Sequence, residues 1–319
     1  MSHSDCQPYA SARLWGIVCH EWSSPASAPL CNLCKTSESK SLFDVEGIGV
    51  LQCQSCLHQF ADLPESDSHV QRVYDDDYFF GGGAGYDNYL RDSELLVQRG
   101  QRYARLVSKK LQPGSMIEIG AAAGFGLKAF LDRGWDVTGI DPNPSMVRFG
   151  REHLGLNLQV SSFENWVPKE PVNLVVLIQV LPHLFRPREA IAKIASWLAP
   201  GGCLLVETWR RDSWTARLTG RGWHEYNPPS VLHWFTLTEL KSLGDMAGMK
   251  MVSYGRPQKY ISGAHLKSVL HHQATRFPLS RLLKSGIAMI PSKFNFRYPA
   301  EDLVWAIYQK PFTIRTSED

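Results

Sequence analysis

The chain has 319 residues, is 44% hydrophobic and 20% charged, and carries a net charge of +3. That balance suits a soluble globular protein with one large domain, or one medium domain and a small appendage. No run of eighteen apolar residues exists, so no spanning helix is expected. Met1 to Trp22 lacks a basic start followed by an apolar core, so a secretory signal is not expected and a cytoplasmic location is the default. Seven cysteines in such a chain point to metal or free thiols rather than disulfides.

Residues 1–28 read as a poorly ordered tail that ends in the linker Ser23-Ser24-Pro25-Ala26-Ser27. Cys31, Cys34, Cys53 and Cys56 follow, spaced C-x2-C-x18-C-x2-C. Each C-x-x-C pair can turn two sulfurs toward one ion, and this double spacing is that of a closed four-thiolate zinc site. Gly47 and Gly49 permit a hairpin between the two pairs, with Val50 to Gln52 as its returning strand. A module over 29–64 has too little core to fold without a metal, so the ion's role should be structural. An iron–sulfur centre is the other metal option. His58, two residues past Cys56, reads as a bystander.

Residues 65–112 form a helical approach to the core. Tyr78 and Phe79 precede a glycine run, Gly81 to Gly85, and then Tyr86; glycines beside aromatics suit a lid over a ligand. Leu95, Leu96, Arg99, Tyr103, Leu106, Val107 and Leu111 form a helical stripe that should cover a sheet.

The stretch Met116-Ile-Glu-Ile-Gly-Ala-Ala-Ala-Gly-Phe-Gly126 organises the rest. It predicts a buried strand, a glycine turn and a helix from Phe125 to Arg133 whose N-terminal amides face the loop. Val137 to Ile140 reads as the next strand, and Asp141 stands at its end, where an acid can accept from ribose hydroxyls. The order Gly120-x-x-x-Gly124-x-Gly126 is not the dinucleotide order, and Glu118 just before the loop would repel a pyrophosphate. A helix is expected from Pro144 to about His153, a short strand over Leu158 to Val160, and a parallel-type strand over Asn173 to Ile178. Gln179 and His183 lie on the rim at the end of that strand. Arg188 to Leu198 reads as helix and Cys203 to Glu207 as the fifth strand.

A segment rich in Trp and Arg, 209–226, leads to His233. Thr238 is the expected N-cap of a helix to about Met246, with Gly248 as its stop. Lys250 to Tyr254 and Leu303 to Tyr308 read as the last strands. Between them, Gly255 to Arg297 holds eight basic residues and no acid, a face for an anionic partner or a solvated helical cap.

The glycine loop, Asp141, the run Gln179-Val-Leu-Pro-His183 and the turn Trp197-Leu-Ala-Pro-Gly-Gly202 occur in an order that resembles class I S-adenosylmethionine-dependent methyltransferases. The fold this implies is α/β, a Rossmann-like doubly wound seven-stranded sheet. Its last strand is antiparallel and lies between the fifth and sixth. The core spans 113–255, and 256–319 supplies a basic helical insertion plus the final strand. The resemblance implies that Glu118, Gly120, Ala122 and Gly124 pass under the methionine part of S-adenosylmethionine, with Asp141 and Pro142 at the ribose. Ser162 and Phe163 then lie at the adenine, Gln179 is a further cofactor-binding position on the rim after the fourth strand, and Tyr86 closes the pocket. Ala122 stands where a glycine is usual, and Ser162 where an Asp is common. A four-cysteine zinc ribbon ahead of such a core is seen in some sugar and small-molecule methyltransferases, and in some RNA methyltransferases.

Methyl transfer is an in-line displacement that needs alignment and exclusion of water. A base is needed only when the acceptor must lose a proton, and His183 and His233 are the candidates. The expected function is transfer to oxygen or carbon of a small-molecule acceptor, bulky or anionic, such as a sugar, a polyketide-like or a quinone-like compound. RNA methylation and a non-catalytic zinc-ribbon scaffold are the alternatives.

Overall fold

A computed structural model describes residues 29–66, 68–80, 89–263, 267, 291, 295–298 and 300–312. The first three strands, β1 (Ser39–Val45), β2 (Ile48–Cys53) and β3 (Gln59–Ala61), form an antiparallel meander. Helices α1 (His69–Val73) and α2 (Asp76–Phe80) follow, and then the long α3 (Ser93–Val107). The core continues through β4 (Ser115–Ile119), α4 (Phe125–Leu131), β5 (Asp136–Asp141), α5 (Pro144–Leu154), β6 (Leu158–Val160) and β7 (Val172–Ile178). It proceeds with α6 (Pro187–Trp197), β8 (Leu198–Trp209), α7 (Trp214–Thr219), β9 (His233–Trp234), α8 (Leu237–Met246) and β10 (Lys250–Gly255). A small hairpin, β11 (Lys259–Ser262) with β12 (Asn295–Tyr298), precedes the last strand, β13 (Leu303–Gln309).

Seven strands form the main sheet in the order β10-β13-β8-β7-β4-β5-β6. The pairs from β8 across to β6 are parallel. Strand β13 is antiparallel to both β8 and β10 and lies between them. This is the doubly wound α/β fold with the antiparallel final strand in the expected place.

The sheet is buried on both faces, which explains the nearly continuous apolar run of β7. Val175 and Leu177 pack on one side, with Ile117, Leu204, Val206 and the residues of α6 and α8. Leu174 and Val176 pack on the other, with Met116, Leu205 and residues of α3 and α4. Alternate residues of one strand thus serve two cores, each full burial contributing roughly 1.5–3 kcal/mol. Asn173 interrupts this run for a structural reason. Its Oδ1 accepts from the Ser115 amide at 3.0 Å and ties the start of β7 to β4.

Two local readings change. Thr236, not Thr238, caps α8: its Oγ1 accepts from the Glu239 amide at 3.2 Å, and Glu239 Oε2 accepts from the Thr236 amide at 2.6 Å. Only Thr236 has a glutamate three residues on to close this reciprocal pair. The segment around His233 does not merely cover the core. Strand β9 pairs with β3, so the cysteine-bearing meander and the core share a four-stranded sheet, β1-β2-β3-β9.

The basic stretch expected over 255–297 falls mostly outside the described residues, as do Tyr86 and the 1–28 tail. Among the described residues no helix is long and apolar enough to cross a membrane.

Candidate active site and metal centre

The ends of β4, β5 and β7 open onto one pocket, walled on its far side by α1, α2 and α3. It encloses about 1230 Å3, part of it open to solvent. Glu118, Gly120, Ala122, Asp141, Pro142, Ser162, Phe163, Gln179 and His183 all line it, and this is where the sequence places its cofactor residues. Gly124 stands just behind. It begins α4 at φ +80°, and a side chain there would meet Leu156 Cδ1 at 2.5 Å. Of the lid residues, Tyr78 and Phe79 line the pocket.

Asp141 is the anchor of the loop. It is 4% exposed, and its Oδ2 accepts from the Ala122 amide at 2.7 Å while Oδ1 accepts from the Asn143 amide at 2.9 Å. A carboxylate has about four acceptor sites, so lone pairs remain for a ligand. Burial pushes its pKa up to about 6, and the two amides partly oppose that. The first of these bonds holds Ala122 at φ +48°, a left-handed conformation that costs a non-glycine residue roughly 1–2 kcal/mol. Gln179, on the opposite rim, is held at φ +58°.

Glu118 lies beneath the loop, 7% exposed, and lines the pocket. Its Oε2 has no hydrogen-bond partner among the described residues. Burial pushes its pKa up to about 7; Arg99 pulls it down and Asp141 pushes it further up. A buried, half-satisfied carboxylate is costly unless a donor or cation meets it.

Sequence reading missed a second buried acid. Glu207, at the end of β8, is 1% exposed. It accepts from the Tyr103 hydroxyl and from Gln179 Nε2, the latter at 3.1 Å, and Arg99 Nη1 stands 3.6 Å away. Burial and this negative neighbour raise the Tyr103 pKa well above its usual value. Arg99 and Tyr103 were visible as polar members of the apolar stripe on α3. Nothing local told that they face Glu207, 104 residues away in the case of Tyr103.

The two histidines separate. His183 lines the pocket, and its Nδ1 lies 2.6 Å from the Ser230 carbonyl. A carbonyl only accepts, so Nδ1 carries the proton and Nε2 is the basic nitrogen. Burial lowers its pKa. The Tyr74 hydroxyl donates to the same carbonyl at 3.0 Å. His233 is elsewhere. It is 2% exposed, absent from the pocket lining, and has Nδ1 3.0 Å from His58 Nε2 and Nε2 3.2 Å from the Phe185 carbonyl. It joins β3 to the core, with Glu239 Oε1 3.4 Å beyond His58 and Arg211 donating to that oxygen at 2.9 Å. Phe163 lines the pocket and also packs on Trp197 at 5.4 Å between ring centroids.

The sulfurs of Cys31, Cys34, Cys53 and Cys56 lie within 4.8 Å of one another and can hold a metal ion. The two knuckles repeat one turn. Lys35 and Leu57, each following a C-x-x-C, take φ +68° and +63°, and each donates its amide to the first cysteine's carbonyl, at 2.8 and 3.1 Å. His58 is outside the sulfur cluster. The knuckles dock on the core: Arg188 donates to the Leu33 carbonyl at 3.0 Å, and Arg211 to the Leu57 carbonyl at 2.8 Å.

A family profile described as a methyltransferase domain matches residues 89–254, more than half of the chain. The chain belongs to the methyltransferase domain family. Curated relatives include the ubiquinone biosynthesis O-methyltransferase of Xanthomonas campestris pv. campestris, 29% identical over 160 residues, 43% of this chain and 66% of that protein. The protein of the same name from a Bradyrhizobium strain is 25% identical over 155 residues, 44% of this chain and 60% of that protein. The chain therefore spans less than two thirds of these relatives' own length. Among solved structures, the N-methyltransferase NodS of Bradyrhizobium japonicum in complex with S-adenosyl-L-homocysteine aligns at a TM-score of 0.49 and 18% identity. That alignment covers 77% of this chain and all of the other.

Proposed function

We propose that this methyltransferase-family protein transfers a methyl group from S-adenosylmethionine to an oxygen or carbon of a small-molecule acceptor. The observation that carries the reading is the orphaned Glu118 Oε2 beneath the glycine loop, beside the part-occupied Asp141 carboxylate. A cationic cofactor suits the first, and hydroxyls suit the second. A dinucleotide pyrophosphate suits neither. The residues present fit S-adenosylmethionine: Glu118, Gly120 and Ala122 would hold its charged amino-acid end, Asp141 and Pro142 its ribose, and Ser162, Phe163 and Gln179 its base. When bound, the cofactor supplies an electrophilic methyl group on a sulfonium.

The chain's own work is alignment, exclusion of water and proton transfer. Tyr74, Tyr78 and Phe79 wall the pocket against solvent. His183, fixed by Ser230, takes the acceptor's proton at Nε2 when that acceptor is a hydroxyl. An oxygen acceptor on a quinone-like ring is favoured by the O-methyltransferase names of the curated relatives. In the metal centre we assign zinc, because four thiolates with no open position form a structural donor set for that ion.

Calorimetry with S-adenosylmethionine tests the cofactor reading. Wild type should bind, and Glu118→Gln should bind at least about tenfold more weakly, because a charged contact becomes neutral. Absence of binding by folded, metal-loaded wild type refutes the reading. A positive result opens a screen of phenolic, sugar and polyketide-like acceptors with labelled methyl donor.

A further inference from the structure

Arg99 and Tyr103 line a second cavity as well as the main pocket, so the two share a wall. The second cavity encloses about 550 Å3, including its open mouth. Arg102 and Leu106 continue its α3 side, and Arg256, Gln258 and Trp305 close the other. Positions 99, 102, 103 and 106 recur at helical spacing, which puts them on one face of α3.

Among the described residues, three guanidinium groups and no carboxylate line this cavity. Arg99 has Glu207 at 3.6 Å behind it. Arg256 comes no closer than 3.9 Å to Glu301. Arg102 stands over the Tyr260 ring, 5.6 Å from its centroid, and no carboxylate pairs with it among the described residues. Gathering like charges around a partly dry space costs free energy. Burial depresses the pKa of Arg102; Tyr103 and Tyr260 oppose that, and Arg99 adds to it. An anion in the cavity would reverse that cost. Guanidinium forks match the oxygens of phosphate and carboxylate, and aromatic walls such as Trp305 and Tyr103 leave the anion few waters to compete with.

We propose that this cavity binds the anionic group of the acceptor, a phosphate or carboxylate of a small molecule whose methyl-accepting end reaches the main pocket past Arg99 and Tyr103. The proposal rests on the methyl-transfer reading for the word acceptor, but the anion site stands on the cavity itself.

The test titrates inorganic pyrophosphate, inorganic phosphate and malonate into the full-length, metal-loaded protein by calorimetry at low ionic strength, where charge contacts are least screened. Wild type should bind at least one of them at one site. Arg102→Gln and Arg256→Gln should each weaken that binding about tenfold or more, while the exposed Arg133→Gln leaves it unchanged. S-adenosylmethionine affinity should stay within about threefold in all variants, which shows that they are folded. Preference for pyrophosphate over malonate assigns a phosphate-bearing acceptor, and the reverse a carboxylate. No anion binding by wild type up to about 10 mM overturns the proposal, as does binding that both variants retain in full. If anions bind through Arg102 but S-adenosylmethionine does not bind, the anion site is supported and the methyl-transfer reading is what falls.

Discussion

Replacing Asp141 with asparagine keeps the side chain's shape and removes one acceptor. In the native loop both carboxylate oxygens are used, by the Ala122 amide at 2.7 Å and the Asn143 amide at 2.9 Å. An asparagine offers one oxygen, so its NH2 is driven against one of two buried N–H groups. Leaving such a donor unsatisfied costs roughly 1–3 kcal/mol. A second effect has the opposite sign. Burial raises the folded pKa of Asp141 to about 6 from 3.8, so the folded state binds this proton more tightly than the unfolded state. Stability from this group is fully present below the unfolded value and is lost as pH rises through the folded one. Between pH 4 and pH 8 the wild type should lose about 2–3 kcal/mol through Asp141, a loss the asparagine variant lacks. The variant should therefore be the less stable protein at pH 4 and close to wild type at pH 8. Urea unfolding of the ligand-free protein at both pH values measures this. At pH 8 the folded variant should bind S-adenosylmethionine roughly 10–100-fold more weakly, the worth of a charge-assisted hydrogen bond. A stability difference that does not change with pH, or an unchanged affinity at pH 8, refutes the role given to Asp141.

Metal removal should not merely loosen an appendage. Strand β3 pairs with β9, and Arg188 and Arg211 bind carbonyls of the knuckles, so chelation should lower the melting temperature of the whole chain by roughly 10 °C or more in one transition. Two separate transitions in calorimetry would contradict this. Gly100→Ala sets a methyl group 2.7 Å from the Gly126 carbonyl oxygen, where α3 crosses α4. Overpacking of about 1–3 kcal/mol should exceed a helix-propensity gain of up to about 1 kcal/mol, giving net destabilisation in chemical denaturation. His183→Gln should lower kcat on a hydroxyl acceptor by about 10²–10⁴-fold with S-adenosylmethionine affinity retained. Because burial lowers the His183 pKa, kcat at saturating S-adenosylmethionine, where Glu118 and Asp141 are held by the cofactor, should fall only in acid, and the variant should lose that acid limb. An unchanged profile would remove His183 from the chemistry.

The features legible in the sequence are those set by neighbours along the chain. The cysteine spacing marks the two knuckles because each C-x-x-C turn closes on itself, by a bond four residues long. The loop from Gly120 to Gly126 and Asp141 could be read because a parallel sheet brings the ends of successive strands to one rim. Strand β7 announced itself as an apolar run because both of its faces are buried. Thr238 was misread for want of one local check, since Thr236 alone has the glutamate that completes its cap.

What tertiary structure decided is which distant polar groups meet. His58 and His233 lie 175 residues apart and share a hydrogen bond in a dry interface. This turns one expected bystander and one expected catalytic candidate into a joint between β3 and the core. Glu207 looked like the polar end of an apolar strand. The crossing of α3 over the sheet makes it the acceptor for Tyr103, and the pairing of β8 with β7 brings Gln179 to it. The same crossing aims Arg99 and Tyr103 at two cavities at once. Periodicity along a helix tells which residues share a face, but a face carries no record of what will be laid against it. That is set only when burial of the apolar remainder fixes how the helix crosses the sheet.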